Sequence, residues 1–256
     1  MAIPERRIAS LGELISATND VCGVHPHELM WYRGQESNPN WKLRPKIRRG
    51  FLAEQEHSFS AMFLQEAPLR YPNAPSPYDL PRWLTIMQHY GLPTRLLDWT
   101  QSPLVAAYFA LNNDNDGVIW GLYPFRLNQL EAGIDRVQTI RSEEIEPFVR
   151  GAFSAEDCPS QARAIYGETI DIRMLVQQST FTIHGGIDSL EDHPKADEFL
   201  VRFVLDPDTH LEMGFELLHC GMTPAHLFPD LENLARTISD APKSLGRFLR
   251  LPGEGP

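Results

Sequence analysis

Apolar residues recur along this chain at two spacings. Over residues 53–67, Phe59, Met62 and Phe63 fall at helical intervals with Glu66, which predicts an amphipathic helix. Residues 82–89 predict a second, shorter one. Residues 5–18 can start a helix, with Ser10 and the following Leu-Gly-Glu as a capping box. Ser102 is a good N-cap and Pro103 a good first-turn residue, so another helix is predicted to open there. Its body, residues 104–111, is apolar on every face, which predicts burial. Short apolar runs predict strands at residues 28–34, 117–123, 180–184 and 198–205. The first ends in Tyr32-Arg33-Gly34, and the last stops at Asp206-Pro207. Residues 112–117 read as a turn. The proline-dense stretch 68–81 reads as an irregular, ordered loop or lid. Asp230 is placed to cap a helix running through Ile238. Helices come early, strands come late and βαβ alternation is weak. That order predicts an α+β fold: a single domain with a mixed or antiparallel sheet core and helices around it.

Composition narrows the partners. In 256 residues, 34 acidic side chains outnumber 23 basic ones, for a net charge of −11. A chain so acidic does not grip nucleic acid by a bulk electrostatic footprint. The one dense basic cluster is Lys42, Arg44, Lys46, Arg48 and Arg49, either a solvated loop or a phosphate-facing patch. No run approaches the roughly 18 apolar residues of a membrane span, and the first residues carry no apolar signal segment. The expectation is a cytoplasmic protein with no membrane attachment. Cys22, Cys158 and Cys220 lack a Cys-x-x-Cys spacing and fit reduced thiols. His25-Pro26-His27 has no third ligand nearby, so no metal is expected.

The chemistry concentrates in residues 88–110. His89, Tyr90, Thr94, Arg95, Asp98, Trp99, Thr100, Gln101 and Ser102 lie there between two apolar helices, and such flanking elements preorganise sites. Gly91-Leu92-Pro93 predicts a tight turn presenting His89 and Tyr90. The helix opening at Pro103 offers free N–H groups to an anion. Arg95 and Asp98 could instead pair with each other, and Ser102 could serve as a cap alone. Arg33 ends an apolar strand beside Gly34 and Gln35. Glycine there lets a ligand or another backbone come close, and a planar guanidinium suits phosphate.

These same residues carry a resemblance. Tyr32-Arg33-Gly34-Gln35, the run from Gln88 to Thr100 reading QHYGLPTRLLDWT, and Ala107-Tyr108-Phe109-Ala110 resemble the FRG domain family, with tyrosine in place of its phenylalanine. Gln178-Ser179-Thr180-Phe181-Thr182-Ile183 and Leu227-Phe228-Pro229-Asp230-Leu231 match as well. The resemblance implies a domain over residues 28–240, after an N-terminal helical segment (1–27) and before a tail (241–256). Tyr32-Arg33-Gly34, Thr100-Gln101-Ser102 with the alanine-rich helix, and residues 179–183 are also similar to arginine-type ADP-ribosyltransferases. That similarity implies an ADP-ribosyltransferase-like fold. It implies NAD as substrate without a metal, and a macromolecular acceptor, protein or nucleic acid. It suggests a bacterial toxin or phage-defence effector with a neutralising partner protein. Catalysis would fall to Arg33, His89, Asp98 and Thr100. NAD would be held by Arg33, Gly34, Gln35, Tyr90, Thr94, Arg95, Trp99, Ser102 and Tyr108, with aromatic rings on nicotinamide. No Glu-x-Glu precedes Ser179, so the catalytic carboxylate falls to Glu168, Asp171 or Asp98, or is replaced by Gln177 or Gln178. Two other readings compete: a non-catalytic nucleotide- or phosphate-binding module, and a metal-independent hydrolase with His89 as base and Asp98 as its orienter. The nucleotide readings require Arg33 and the polar stretch near Asp98 to meet in one cleft.

Overall fold

A computed structural model describes residues 2–22, 29–36, 41–111, 117–155, 158–186, 188–231, 233–235 and 238–239. The His25-Pro26-His27 pair, most of the turn at 112–117 and the tail 241–256 fall outside them. The strands are β1 (Glu5–Ile8), β2 (Trp31–Glu36), β3 (Leu96–Thr100), β4 (Gly117–Leu122), β5 (Gln138–Thr139), β6 (Ala162–Tyr166), β7 (Ser179–His184) and β8 (Leu200–Leu205). The helices are α1 (Leu11–Cys22), α2 (Ala53–Glu66), α3 (Leu80–His89), α4 (Pro103–Leu111), α5 (Pro124–Ala132), α6 (Glu146–Arg150), α7 (Ile172–Val176), α8 (Ala196–Phe199), α9 (His210–His219) and α10 (Pro224–Leu227).

All eight strands form one sheet in the order β1-β8-β4-β2-β3-β7-β6-β5. The β1–β8 and β5–β6 pairs are parallel and the rest antiparallel. The fold is α+β, with a mixed sheet. Alternation along the strands divides the core between two faces. On one face, Tyr32, Ile119 and Phe203 pack under α1, α4 and α9, while Leu96, Phe181 and Ile183 pack under α3 and α6. On the other face, Trp31, Leu97, Trp99 and Trp120 pack with α5 and α8. Among the described residues no helix is long and apolar enough to cross a membrane.

Several boundaries differ from the sequence reading. The helix expected from residue 5 begins only at Leu11, because residues 5–8 add to the sheet edge alongside β8. The cap itself forms: Ser10 Oγ accepts from Glu13 N at 3.1 Å, and the Glu13 carboxylate accepts from Ala9 N at 2.8 Å. Residues 96–100, part of the polar stretch placed between two helices, are a strand, since β7 supplies a full antiparallel ladder to their backbone. Residues 198–199 close α8 before β8 begins. Asp230 Oδ1 accepts from Asn233 N at 2.9 Å, as a cap does.

Candidate functional site

β2 is fully paired with β4, and β3 with β7, but β2 meets β3 only where Tyr32 lies opposite Thr100. Beyond that pair the central strands part. The Arg33 guanidinium reaches across the gap, and its Nη1 donates to the Asp98 carbonyl at 2.7 Å. The same nitrogen lies 3.9 Å from Asp98 Oδ2. The Arg33 side chain is 20% exposed and that of Asp98 58%. Burial pulls the pKa of Arg33 down, the Asp98 carboxylate opposes this, and Arg49 adds to it. Arg33 Nε is buried with no hydrogen-bond partner among the described residues.

Asp98 is held from a second side. Gln88 Nε2 donates to both of its carboxylate oxygens at 2.8 Å. Gln88 Oε1 in turn accepts from the Thr94 hydroxyl. Thr94 Oγ1 also accepts from Leu96 N at 3.1 Å, which ties the chain of bonds to the start of β3. Arg33, Asp98, Gln88 and Thr94 thus form one polar network. Gln35, two residues along β2, is buried; its Nε2 donates to the Trp41 carbonyl at 2.8 Å and its Oε1 is unpaired among the described residues. Trp41 itself is 43% exposed. Sequence reasoning missed Gln88 as a holding residue and Trp41 as a neighbour of this cleft. Gln88 stood inside the quoted motif, whereas nothing in the sequence marked Trp41.

Other candidates have different roles. A Cβ on Gly34 would meet the Ala106 carbonyl oxygen at 1.8 Å, so the backbone that approaches this glycine is α4 and not a ligand. Arg95 does not pair with Asp98. It is buried, and its Nε and Nη2 donate to the two oxygens of Glu56 at 2.8 and 2.9 Å. Nη1 donates to the Phe148 carbonyl at 2.9 Å and approaches Cys158 Sγ at 3.0 Å, and Nη2 also reaches the Gly151 carbonyl. Arg48 adds a second guanidinium 3.4 Å from Glu56. Trp99 is 3% exposed in the core with its indole N–H on Thr182 Oγ1, and Tyr108 is buried against Phe109 and Phe228, so neither ring is open to a nicotinamide.

Thr100 is buried: its hydroxyl donates to the Gln177 carbonyl at 2.7 Å and accepts from Ser102 N at 3.0 Å. Ser102 caps α4 by accepting from Val105 N at 3.3 Å. His89 does not face Asp98. Its Nε2 lies 3.9 Å from Asp171 Oδ2, and burial lowers its pKa against the pull of that carboxylate. Gly91, at φ 80°, makes the expected turn after α3 and leaves Tyr90 exposed. Tyr90 borders an apolar cavity of about 480 Å³ between α2 and α3, with Phe59, Met62, Phe63, Tyr71 and Leu92. Of the other carboxylates, Glu168 is bound by Arg141 and lies near Arg82, and Asp171 caps α7. The Gln177 amide donates to the Leu227 carbonyl at 3.0 Å, and Gln178 is exposed at φ 48°. Among the described residues no group of His, Cys, Asp and Glu is placed to hold a metal ion.

The fold and the cleft define an α+β protein in which an arginine from one central strand is locked to an aspartate of the next. The chain carries an FRG domain: residues 28–117, from the approach to β2 through β3 and α4, match that family. The matched span contains the whole Arg33–Asp98–Gln88–Thr94 network. No curated protein and no solved structure matches the chain.

Proposed function

We propose that the chain is an NAD-dependent ADP-ribosyltransferase whose nucleotide lies in the cleft between β2 and β3. The observation that carries this reading is the Arg33–Asp98 pair: a largely buried guanidinium beside an exposed carboxylate whose two oxygens are pinned by Gln88. The residues present suit NAD. Arg33 Nε has no partner among the described residues and can donate to a pyrophosphate oxygen, and Gln35 Oε1, likewise unpaired among them, can accept from a hydroxyl or amide. When the ribose–nicotinamide bond breaks, its electron pair leaves with nicotinamide and positive charge develops on the ribose. A carboxylate fixed in advance stabilises that charge without reorganising. The acceptor nucleophile then bonds to the ribose carbon and releases its proton. Asp98 is the candidate carboxylate beside Arg33, whereas Glu168 and Asp171 are engaged elsewhere. A protein or nucleic-acid acceptor, a toxin or phage-defence role, a neutralising partner and a cytoplasmic setting belong to the same reading.

The test is a mass-spectrometric search for an ADP-ribose adduct in cell extract given the protein and NAD, with free nicotinamide measured alongside. Both are expected. Asp98→Asn should cut nicotinamide release by roughly 100-fold or more while NAD still binds. Folded protein that yields neither product overturns the reading. One observation favours a non-catalytic nucleotide-binding module: Gln177 and Gln178 precede β7, where the resembled transferases place a glutamate. NAD bound and recovered intact would support that module.

A further inference from the structure

Arg33 and Asp98 stop short of contact. A guanidinium and a carboxylate that close on each other meet at about 2.7–2.9 Å. Here Arg33 Nη1 stands 3.9 Å from Asp98 Oδ2, although the guanidinium is largely buried and its Nε has no partner among the described residues. The carboxylate is drawn instead to the Gln88 amide, with both oxygens 2.8 Å from Nε2. That hold depends on which end of the amide faces Asp98. The nitrogen attracts a carboxylate and the oxygen repels it, and a half turn about the last side-chain bond exchanges the two.

Thr94 stands at the other end of that amide. It is 2% exposed, and its carbonyl accepts from Ile47 N at 3.3 Å, so the residue is fixed between the segment that carries Ile47 and the start of β3. Its hydroxyl has one proton and two lone pairs. Leu96 N–H takes a lone pair at 3.1 Å, and the proton goes to Gln88 Oε1. The donors therefore run one way, from the Leu96 amide through the Thr94 hydroxyl and the Gln88 amide to the carboxylate, and each bond polarises the next. We infer that Thr94 is a positioning residue: its hydroxyl proton turns the Gln88 nitrogen towards Asp98 and so keeps the Arg33–Asp98 pair open. A closed pair neutralises both of its members. An open one offers a cation and an anion side by side, to a phosphate and to the positive charge that develops on the ribose. That use of the open pair rests on the nucleotide reading of the cleft, whereas the geometry does not.

The experiment compares the full chain with Thr94→Val and Thr94→Ser, by crystal structure and by calorimetric titration with ADP-ribose. Valine is close to threonine in shape but lacks the hydroxyl, and serine keeps it. In Thr94→Val the distance from Arg33 Nη1 to the Asp98 carboxylate should shorten to about 2.8 Å. In Thr94→Ser the gap should stay open. ADP-ribose should bind Thr94→Val at least about tenfold more weakly than wild type, and Thr94→Ser within about threefold of it. Gln88→Leu removes the amide from a half-buried side chain and should close the pair as well, so it serves if Thr94→Val does not fold. A closed pair in wild type, an unchanged gap in a folded valine or leucine variant, or closure in the serine variant overturns the proposal. So does failure of both the valine and leucine variants to fold, since the arm would then serve the fold and not the cleft. Closure in Thr94→Val without ADP-ribose binding by wild type would remove the nucleotide reading and leave this one standing. ADP-ribose affinity lost in Thr94→Val with the gap unchanged would do the reverse.

Discussion

Arg33 Nη1 donates to the main-chain carbonyl of Asp98 at 2.7 Å while the Asp98 side chain stays 58% exposed. The backbone bond, more than the looser ion pair, anchors the guanidinium where the two central strands separate. It leaves the aspartate carboxylate pointing at solvent and open to a ligand.

That geometry makes lysine a poor replacement for Arg33. A lysine ammonium can meet the carbonyl or a phosphate but has no planar fork to serve both. Arg33→Lys should unfold in urea within about 1.5–3 kcal/mol of wild type, the scale of one hydrogen bond to a charged group. Its nucleotide affinity should fall by at least about tenfold. Denaturation curves and titration with ADP-ribose, read together, check this; retained affinity would exclude Arg33 from the ligand site.

Gly34 lies beneath α4. With the Ala106 carbonyl 1.8 Å from the position of a Cβ, and Ala110 N at 2.7 Å, Gly34→Ala must push backbone away from backbone. The expected loss is about 2–4 kcal/mol, or insoluble protein, because overpacking here cannot be relieved by a side-chain rotation. Urea unfolding of the variant settles it. A loss below about 0.5 kcal/mol would mean that α4 sits farther out.

Glu56 is the carboxylate bonded to Arg95 and nearest to Arg48, both largely buried. Glu56→Ala leaves two guanidiniums without an anion and should cost about 3–5 kcal/mol. Thermal and urea unfolding should both show it. The effect should be on stability alone, since none of the side-chain bonds of this cluster reaches Arg33, Asp98, Gln88 or Thr94.

His184 supplies a pH signature. Buried beside Arg48, with Nε2 and Thr182 Oγ1 2.8 Å apart, its pKa is pushed down to about 3. An unfolded chain protonates the same ring near about 6.5. The unfolded state then binds the extra proton, so the contribution of neutral His184 is complete above about pH 6.5. It is lost as pH falls from there towards about 3, by about 1.4 kcal/mol per pH unit. Urea unfolding of wild type and His184→Gln between pH 7 and 4.5 should show the variant losing stability more gently. Parallel slopes would place a charged imidazole in the native state.

Much of the cleft was written into one stretch of chain. Gln88, Thr94 and Asp98 stand six and four residues apart, and a helix end, a Gly91 turn and a strand start bring such neighbours together locally. Arg95 shows the opposite case. It lies in the same run, yet its partner Glu56 is 39 residues earlier on α2. Spacing pointed to Asp98, and only the packing of α2 against α3 redirects the side chain inward. His89 and Trp99 were misjudged for the same reason. Alternation decides which face each residue joins, but what covers that face comes from distant helices and strands.

The sequence by itself determined the α+β class, the cap at Ser102, the buried alanine-rich helix and the polar motif around Asp98. Each is set by residues close in the chain, through backbone propensity and hydrophobic rhythm. Tertiary structure alone decided that residues 96–100 are a strand, that Gly34 makes room for α4, and that Arg33 meets Asp98 across 65 residues of chain. Ladder partners, close helix contact and charge pairing all depend on segments far apart in sequence. No local pattern encodes which of them will lie side by side.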